Sequence, residues 1–89
     1  MTLTSRERAE LRAEAHRLSP LVHVGHQGLT DALLQTIDDA LRTHELVKVA
    51  LAKTTDAKPK DASHAMAEKL GAAVVQTIGR TCTLYRENP

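Results

Sequence analysis

The sequence predicts an α/β fold with the element order α-β-α-β-α-β-β and a mixed four-stranded sheet with helices. Three observations lead to this prediction. Stretches with helical apolar spacing alternate with short β-rich runs, caps or glycines and prolines mark their ends, and the last two runs lie two residues apart. Strands that alternate with helices favour parallel neighbours joined by crossover helices. With 89 residues, the chain is expected to form one domain over residues 1–89.

The first helix is predicted from a capping box in residues 4–7, TSRE. In a capping box, the side chains of the threonine and the glutamate each accept a hydrogen bond from the other residue's backbone amide. Helical spacing of apolar residues continues to Ser19-Pro20, which is expected to end the helix. Residues 21–24, LVHV, are bounded by a proline and a glycine and are predicted to form a short strand. The apolar face of the helix consists of Leu11, Ala15 and Leu18.

The second helix is predicted to have Thr30 as its N-cap and to end near Thr43. The next run, Leu46 to Ala52, is the most apolar strand candidate, and Lys48 is expected to emerge on one face of the sheet. A polar, basic loop over residues 53–60 follows it. The inner face of the second helix consists of Leu33, Leu34, Ile37 and Leu41.

The third helix is expected to be capped by Asp61 and to stop at Gly71. Two β-rich runs, residues 73–78 and 81–85, come next. They are separated by Gly79-Arg80, and glycine followed by any residue is typical of a type II′ hairpin. The sequence therefore predicts that the last two strands are antiparallel neighbours.

Composition counts against several classes of function. The chain has no Phe or Trp and a single tyrosine, so it lacks the aromatic platforms on which many single-strand RNA modules stack bases. A formal charge of +1 makes the distribution of basic residues more informative than their total. One cysteine, no apolar run of membrane-spanning length and no secretory leader lead us to expect a cytoplasmic protein without a membrane partner.

Neither a metal centre nor a catalytic site is predicted. The histidines lack a carboxylate or cysteine at a recognised spacing, and zinc needs three or four converging ligands. Cys82 alternates with Leu84, which favours a buried small side chain over a nucleophile. Asp38 and Asp39 diverge by about 100° on a helix and do not form a carboxylate pair. We expect no cofactor, no small-molecule substrate and no enzymatic activity. The histidines considered are His16, His23, His26 and His44.

Two glycines, Gly25 and Gly28, lie between the first predicted strand and the second helix. Glycines at such a junction allow a ligand to approach the backbone, and the helix N-terminus offers amide donors to a phosphate. The loop lacks the lysine of a P-loop and the third glycine of a dinucleotide-binding motif, so a polynucleotide backbone fits better than a mononucleotide. The spacing alone equally fits a tight turn.

Four motifs in order resemble the YhbY-like family, in which the chloroplast RNA splicing and ribosome maturation (CRM) domain stands alone. They are AHRLSPLVHVG (residues 15–25), GHQG (25–28) followed by LT, HELVKV (44–49) and QTIGRTCTLYR (76–86). The resemblance covers about residues 3–86.

The resemblance implies an RNA-binding domain similar in fold to the C-terminal domain of translation initiation factor three. It also implies a role with precursors of the large ribosomal subunit and no enzymatic activity. Carried over by position, Gly25, His26, Gln27 and Gly28 match the RNA-facing loop. Many relatives have a basic residue inside this loop, whereas His26 and Gln27 add little fixed charge at neutral pH.

Four further residues complete the expected RNA-binding set. Thr30 caps the helix that follows the loop, and Lys48, Arg80 and Arg86 are basic residues on strands or at the hairpin. The main alternative is an adaptor that binds a ribosomal protein or assembly factor through the sheet, with a purely structural loop. A small phosphorylated ligand in the loop is a third possibility.

Overall fold

A computed structural model describes residues 2–88. The element order α-β-α-β-α-β-β is confirmed. The helices are α1 (Ser5–Ala15), α2 (Asp31–His44) and α3 (Pro59–Leu70), and the strands are β1 (Val22–Val24), β2 (Leu46–Leu51), β3 (Ala73–Ile78) and β4 (Thr81–Tyr85). Within this part of the chain, no helix is long and apolar enough to cross a membrane.

The four strands form one mixed sheet in the order β1-β2-β4-β3. Strands β1 and β2 are parallel, and β4 is antiparallel to both of its neighbours. The β3–β4 connection is the predicted two-residue hairpin, since Ile78 pairs with Thr81. A type II′ turn requires a positive φ at its first central residue and not at its second. Gly79 has a φ of 54°, and Arg80 does not have a positive φ, since Glu45 is the one described non-glycine residue that does.

The two faces of the sheet are covered unequally. Helices α2 and α3 bury one face, where Ile37, Leu41 and Met66 pack on strand residues such as Val49 and Leu84. Helix α1 covers only part of the second face, around a small cluster of buried residues. That cluster contains Ala15, Leu46 and Val75, with Leu3, Leu11 and Tyr85 packed against it. The rest of the second face, toward the β3–β4 hairpin, has no helix over it in residues 2–88.

Local capping signals behave as predicted. The Thr4 hydroxyl accepts from the Glu7 amide at 3.1 Å, and the Glu7 carboxylate accepts from the Thr4 amide at 3.0 Å. Gly71 ends α3 in the left-handed region with a φ of 63°. Both helix ends are therefore fixed by residues that lie within one turn of them.

Two predicted helix boundaries are wrong. Helix α1 ends at Ala15, because the amides of Arg17 and Leu18 bond three residues back, to Glu14 and Ala15, and the chain leaves in a tight turn before Pro20. Helix α3 begins at Pro59, whose fixed φ suits the first helical position, so Asp61 lies in the first turn and does not cap the helix.

Candidate nucleic-acid interface

The glycine loop, residues 25–28, leaves the sheet at the end of β1. The Gly28 amide donates to the Gly25 carbonyl at 3.0 Å, and the Thr30 amide donates to the Gly28 carbonyl at 3.1 Å. Gly28 has a φ of 75°, so this turn favours glycine there. The loop borders an open depression of about 290 Å³ that extends to Thr30 and Leu33.

Gly25 differs from Gly28 in its backbone. Gly25 does not have a positive φ, and a Cβ built on it would meet no atom within 4 Å. A φ that is not positive does not require glycine, and the surrounding space would accept a side chain. The fold itself therefore gives no reason for glycine at position 25.

The N-terminus of α2 faces the depression beside the loop. The Thr30 hydroxyl accepts from the Leu33 amide at 3.1 Å, as predicted for an N-cap. The other amides of the first helical turn lack an acceptor within the helix and can donate to an anion. Asp31 lies in this turn, so a carboxylate already occupies part of the positive end of the helix dipole.

A buried threonine supports the loop from inside the protein. The Thr55 hydroxyl lies 2.9 Å from the Gly25 carbonyl oxygen and 3.2 Å from that of Val24, and it donates to them. The Ala52 amide also donates to the Val24 carbonyl, at 2.9 Å. Thr55 was expected in a polar loop, and nothing in its neighbouring sequence indicates that it is 6% exposed.

Arg80 lies near the glycine loop, at the end of the sheet where β1 and β2 finish and the β3–β4 hairpin turns. This end of the strands is called the loop's edge of the sheet. Its carbonyl accepts from the Leu51 amide at 2.7 Å, and its guanidinium donates to the Ala52 carbonyl at 3.1 Å. Because Ala52 in turn bonds Val24, the hairpin and the start of the glycine loop share one backbone network. Arg80 is exposed and keeps further donors free for an anion.

Lys48 projects from the second face of the sheet, as expected. Its ammonium donates to the Leu18 carbonyl at 3.2 Å, which ties the α1–β1 connection to β2. An ammonium has three donors, so this contact leaves two for other acceptors. Lys48 lies four residues before Ala52, so its backbone is roughly 13 Å from the loop edge along the strand.

The sequence model of the CRS1/YhbY (CRM) domain family matches residues 3–86 of this chain. This chain belongs to the CRS1/YhbY (CRM) domain family. The match extends from before α1 to just after β4 and includes the glycine loop, the hairpin and every element of the sheet. The resemblance inferred from the four motifs is confirmed.

Relatives of this CRM domain carry names that refer to RNA. The chain is 35% identical to the probable RNA-binding protein YqeI of Bacillus subtilis, over 97% of this chain and 90% of the relative. It is 39% identical to an RNA-binding protein of Haemophilus influenzae, over 96% and 86%. The solution structure of a Staphylococcus aureus protein, a candidate RNA-binding protein, superposes with a TM-score of 0.85 at 30% identity, covering 99% and 92% of the two chains.

Arg86 lies at the opposite edge of the sheet in this CRM domain. Its guanidinium donates to the Asp38 carboxylate at 2.7 Å and to the backbone carbonyls of Leu70 at 2.9 Å and Asp38 at 3.1 Å. The Arg86 amide donates to the Glu45 carbonyl, just before β2 begins. From there to Ala52 is roughly 23 Å along the strand. The structure thus does not bring Arg86 together with the glycine loop.

The contact with Arg86 also affects Asp38. The Arg86 hydrogen bond holds the pKa of the Asp38 carboxyl below its ordinary value of 3.8, against the opposing effect of desolvation. Arg42 makes a second ion pair with Asp38 at 3.1 Å. These contacts tie β4 to α2 and α3, so Arg86 has a structural role that its basic character did not indicate.

Cys82 and the histidines are the residues that the sequence offers for nucleophilic chemistry and metal binding. Cys82 is fully buried in the core, and burial raises the pKa of its thiol. A neutral thiol without solvent access is a poor nucleophile. Within residues 2–88, no three histidine, cysteine or acidic side chains converge in a way that would hold a metal ion.

Proposed function

We propose that this CRM domain is a non-catalytic RNA-binding module that docks on structured ribosomal RNA during assembly of the large ribosomal subunit. The glycine loop and the N-terminus of α2 hold backbone phosphates. Recognition rests on the shape of the RNA, since the domain has no Phe or Trp and Tyr85 packs beneath α1.

The conformation of Gly25 carries the proposal. The turn uses glycine at position 28, whereas at position 25 neither the backbone conformation nor the neighbouring atoms require it. An exposed glycine that the fold does not need, in the loop before a helix N-terminus, is suited to a partner whose backbone comes very close. The names of the relatives indicate that this partner is RNA.

Basic residues near the loop supply long-range attraction. Arg80 lies at the loop's edge of the sheet, and Lys48 lies farther along the second face. The loop itself holds His26 and Gln27, so fixed positive charge comes mainly from outside it. Binding should therefore depend on salt, with a slope set by the few phosphates that these side chains neutralise.

Sedimentation of a lysate that contains tagged protein tests the assignment to the large subunit. Wild-type protein is expected to travel with precursors of that subunit, and ribonuclease treatment should release it. A Gly25→Asp, Gly28→Asp variant, confirmed as folded by circular dichroism, should remain at the top of the gradient. Wild-type protein that sediments with no ribosomal particle would contradict the ribosomal part of the proposal.

Asp31 provides a test in the opposite direction. Its carboxylate lies in the first turn of α2, where a bound phosphate would also sit. Asp31→Asn should therefore strengthen binding of a 23S ribosomal RNA transcript by about two- to fivefold at low salt, by the usual size of a helix-end charge effect. Asp39→Asn, on the same helix but exposed and two turns away, is the matched control and should leave affinity unchanged. Fluorescence anisotropy measures both, and unchanged affinity in Asp31→Asn would argue against a phosphate at this helix end.

Exposed leucines favour the adaptor as a second candidate function. Leu18 is 38% exposed and Leu21 is 55% exposed, and both border a depression beside Lys48. A pair of exposed leucines can dock a protein partner. Association with ribosomal particles that resists ribonuclease and persists in the loop variant would support this function.

A further inference from the structure

A groove crosses the uncovered part of the second face of the sheet. It has a volume of about 220 Å³. The segment between α1 and β1 forms one wall, and β2, β4 and β3 form the floor and the other wall. The residues that line it include His16, Pro20, Lys48, Gln76, Ile78 and Thr81.

Two rows of side chains run across the floor of this groove. Strand pairing aligns Lys48, Thr83 and Gln76 in one row. The next row contains Ala50, Thr81 and Ile78, because residues two apart on a strand share a face. His23 pairs with Ala50 and extends this second row to β1, two residues before Gly25. The groove floor is therefore continuous with the strand that leads into the glycine loop.

The chemistry of the lining fits a polyanion. Lys48 contributes a fixed positive charge, and Gln76 and Thr81 contribute neutral hydrogen-bonding groups. Of the carboxylates within residues 2–88, none lines this groove, although the chain has eleven acidic residues. Neighbouring depressions differ in this respect, since Glu14 borders two of them. Ile78 is 58% exposed at the rim and offers an apolar contact to a sugar or base.

The width of the groove limits what can enter. Lys48 and Gln76 lie on strands separated only by β4, so their backbones are about 10 Å apart. The distance from Gly25 to Lys48 is roughly 14 Å, from four residues of strand rise and one strand spacing. A floor of this width suits one RNA strand, and a few nucleotides span the distance from the loop.

We infer that this groove holds an unpaired stretch of the same RNA whose backbone the glycine loop contacts. Lys48 neutralises a phosphate, Gln76 and Thr81 offer hydrogen bonds, and Ile78 packs on a ribose or base. The inference rests on the proposed function. It adds a second contact region and a preference for unpaired nucleotides next to the structured RNA on which the domain docks.

Photo-crosslinking separates the two proposals. The photoreactive residue p-benzoylphenylalanine is placed in the full chain at Ile78 in the groove, at His26 in the loop or at Lys69, an exposed control on α3. Each protein is irradiated in a lysate that contains assembling ribosomes, and the crosslinked nucleotides are mapped by reverse transcription. We expect RNA crosslinks from protein positions 78 and 26 but not from position 69. The nucleotides crosslinked from position 78 should be unpaired and should lie within a few nucleotides of those crosslinked from position 26.

The other outcomes are distinguishable. RNA crosslinks at position 26 without any at 78 would overturn the groove inference and leave the proposed function intact. Crosslinks to protein alone at position 78 would also overturn it, and RNA at neither position would remove both proposals. Paired nucleotides at position 78 would contradict the preference for an unpaired strand.

A charge-removing variant tests the role of Lys48 directly. Lys48→Gln should lower the yield of RNA crosslinks at position 78 several-fold and reduce the salt dependence of binding by about one phosphate contact. Lys69→Gln, which removes the same charge from α3, should change neither. Thermal unfolding of both variants checks that loss of the Leu18 contact has not unfolded the domain. An unchanged crosslink yield in folded Lys48→Gln would contradict a phosphate at this lysine.

Discussion

Gly25→Glu is expected to reduce the affinity for a 23S ribosomal RNA transcript by at least about tenfold, because a carboxylate would stand where the RNA backbone comes close. The free protein should tolerate the change. No atom lies within 4 Å of the position that a Cβ would occupy, and Gly25 does not have a positive φ. Thermal unfolding should therefore shift by only about 2–4 °C, while anisotropy records the loss of binding.

Three companion variants give this result its meaning. Gly25→Ala adds a single methyl group without charge and should weaken binding less than Gly25→Glu does. Gly28→Ala forces a residue with a Cβ to a φ of 75° and should cost about 1 kcal/mol of stability, so its effect mixes folding with binding. His64→Glu adds a negative charge on the exposed face of α3 and should leave binding unchanged. Equal affinity of Gly25→Glu and wild type would assign the loop a purely structural role.

The parts of the fold that sequence predicts well depend on local signals. The capping box at Thr4 and Glu7, the C-terminal glycine of α3 and the two-residue hairpin each involve groups a few residues apart. Helical and strand periodicities likewise depend on neighbours in the chain, so the order of elements follows from them. The end of α1 did not follow, because apolar spacing continued to Leu18 after the backbone had turned.

The parts that sequence did not reveal depend on contacts between distant residues. The Thr55 hydroxyl meets a carbonyl 30 residues away, and the Arg86 guanidinium meets one 48 residues away. Arginine is an exposed cation at position 80 and a half-buried donor to three acceptors at position 86, so composition could not separate the two residues. Only the pairing of the strands places Arg80 at the loop's edge of the sheet and Arg86 at the other.

The position of Arg86 leads to the second large effect, which is on stability. Arg86→Met should lower the midpoint of thermal unfolding by roughly 5 °C or more, because the carbonyls of Leu70 and Asp38 lose a donor and the Asp38 carboxylate loses its nearest cation. Arg86→Lys should recover part of this loss, since one ammonium cannot reproduce the planar guanidinium's contacts with three acceptors. Affinity of the folded variants for RNA should remain that of wild type.

The pH dependence of unfolding provides a second test of the structural role of Arg86. The pKa of Asp38 is held below 3.8 in the folded state, so the unfolded state binds the proton first as the pH falls. The stability that the Asp38–Arg86 pair contributes is therefore complete above the unfolded-state pKa and disappears as the pH falls through the lowered one. The gap in unfolding midpoint between wild type and Arg86→Met should accordingly narrow from neutral pH to about pH 3. A variant that lost RNA affinity without losing stability would instead return Arg86 to the RNA-binding surface.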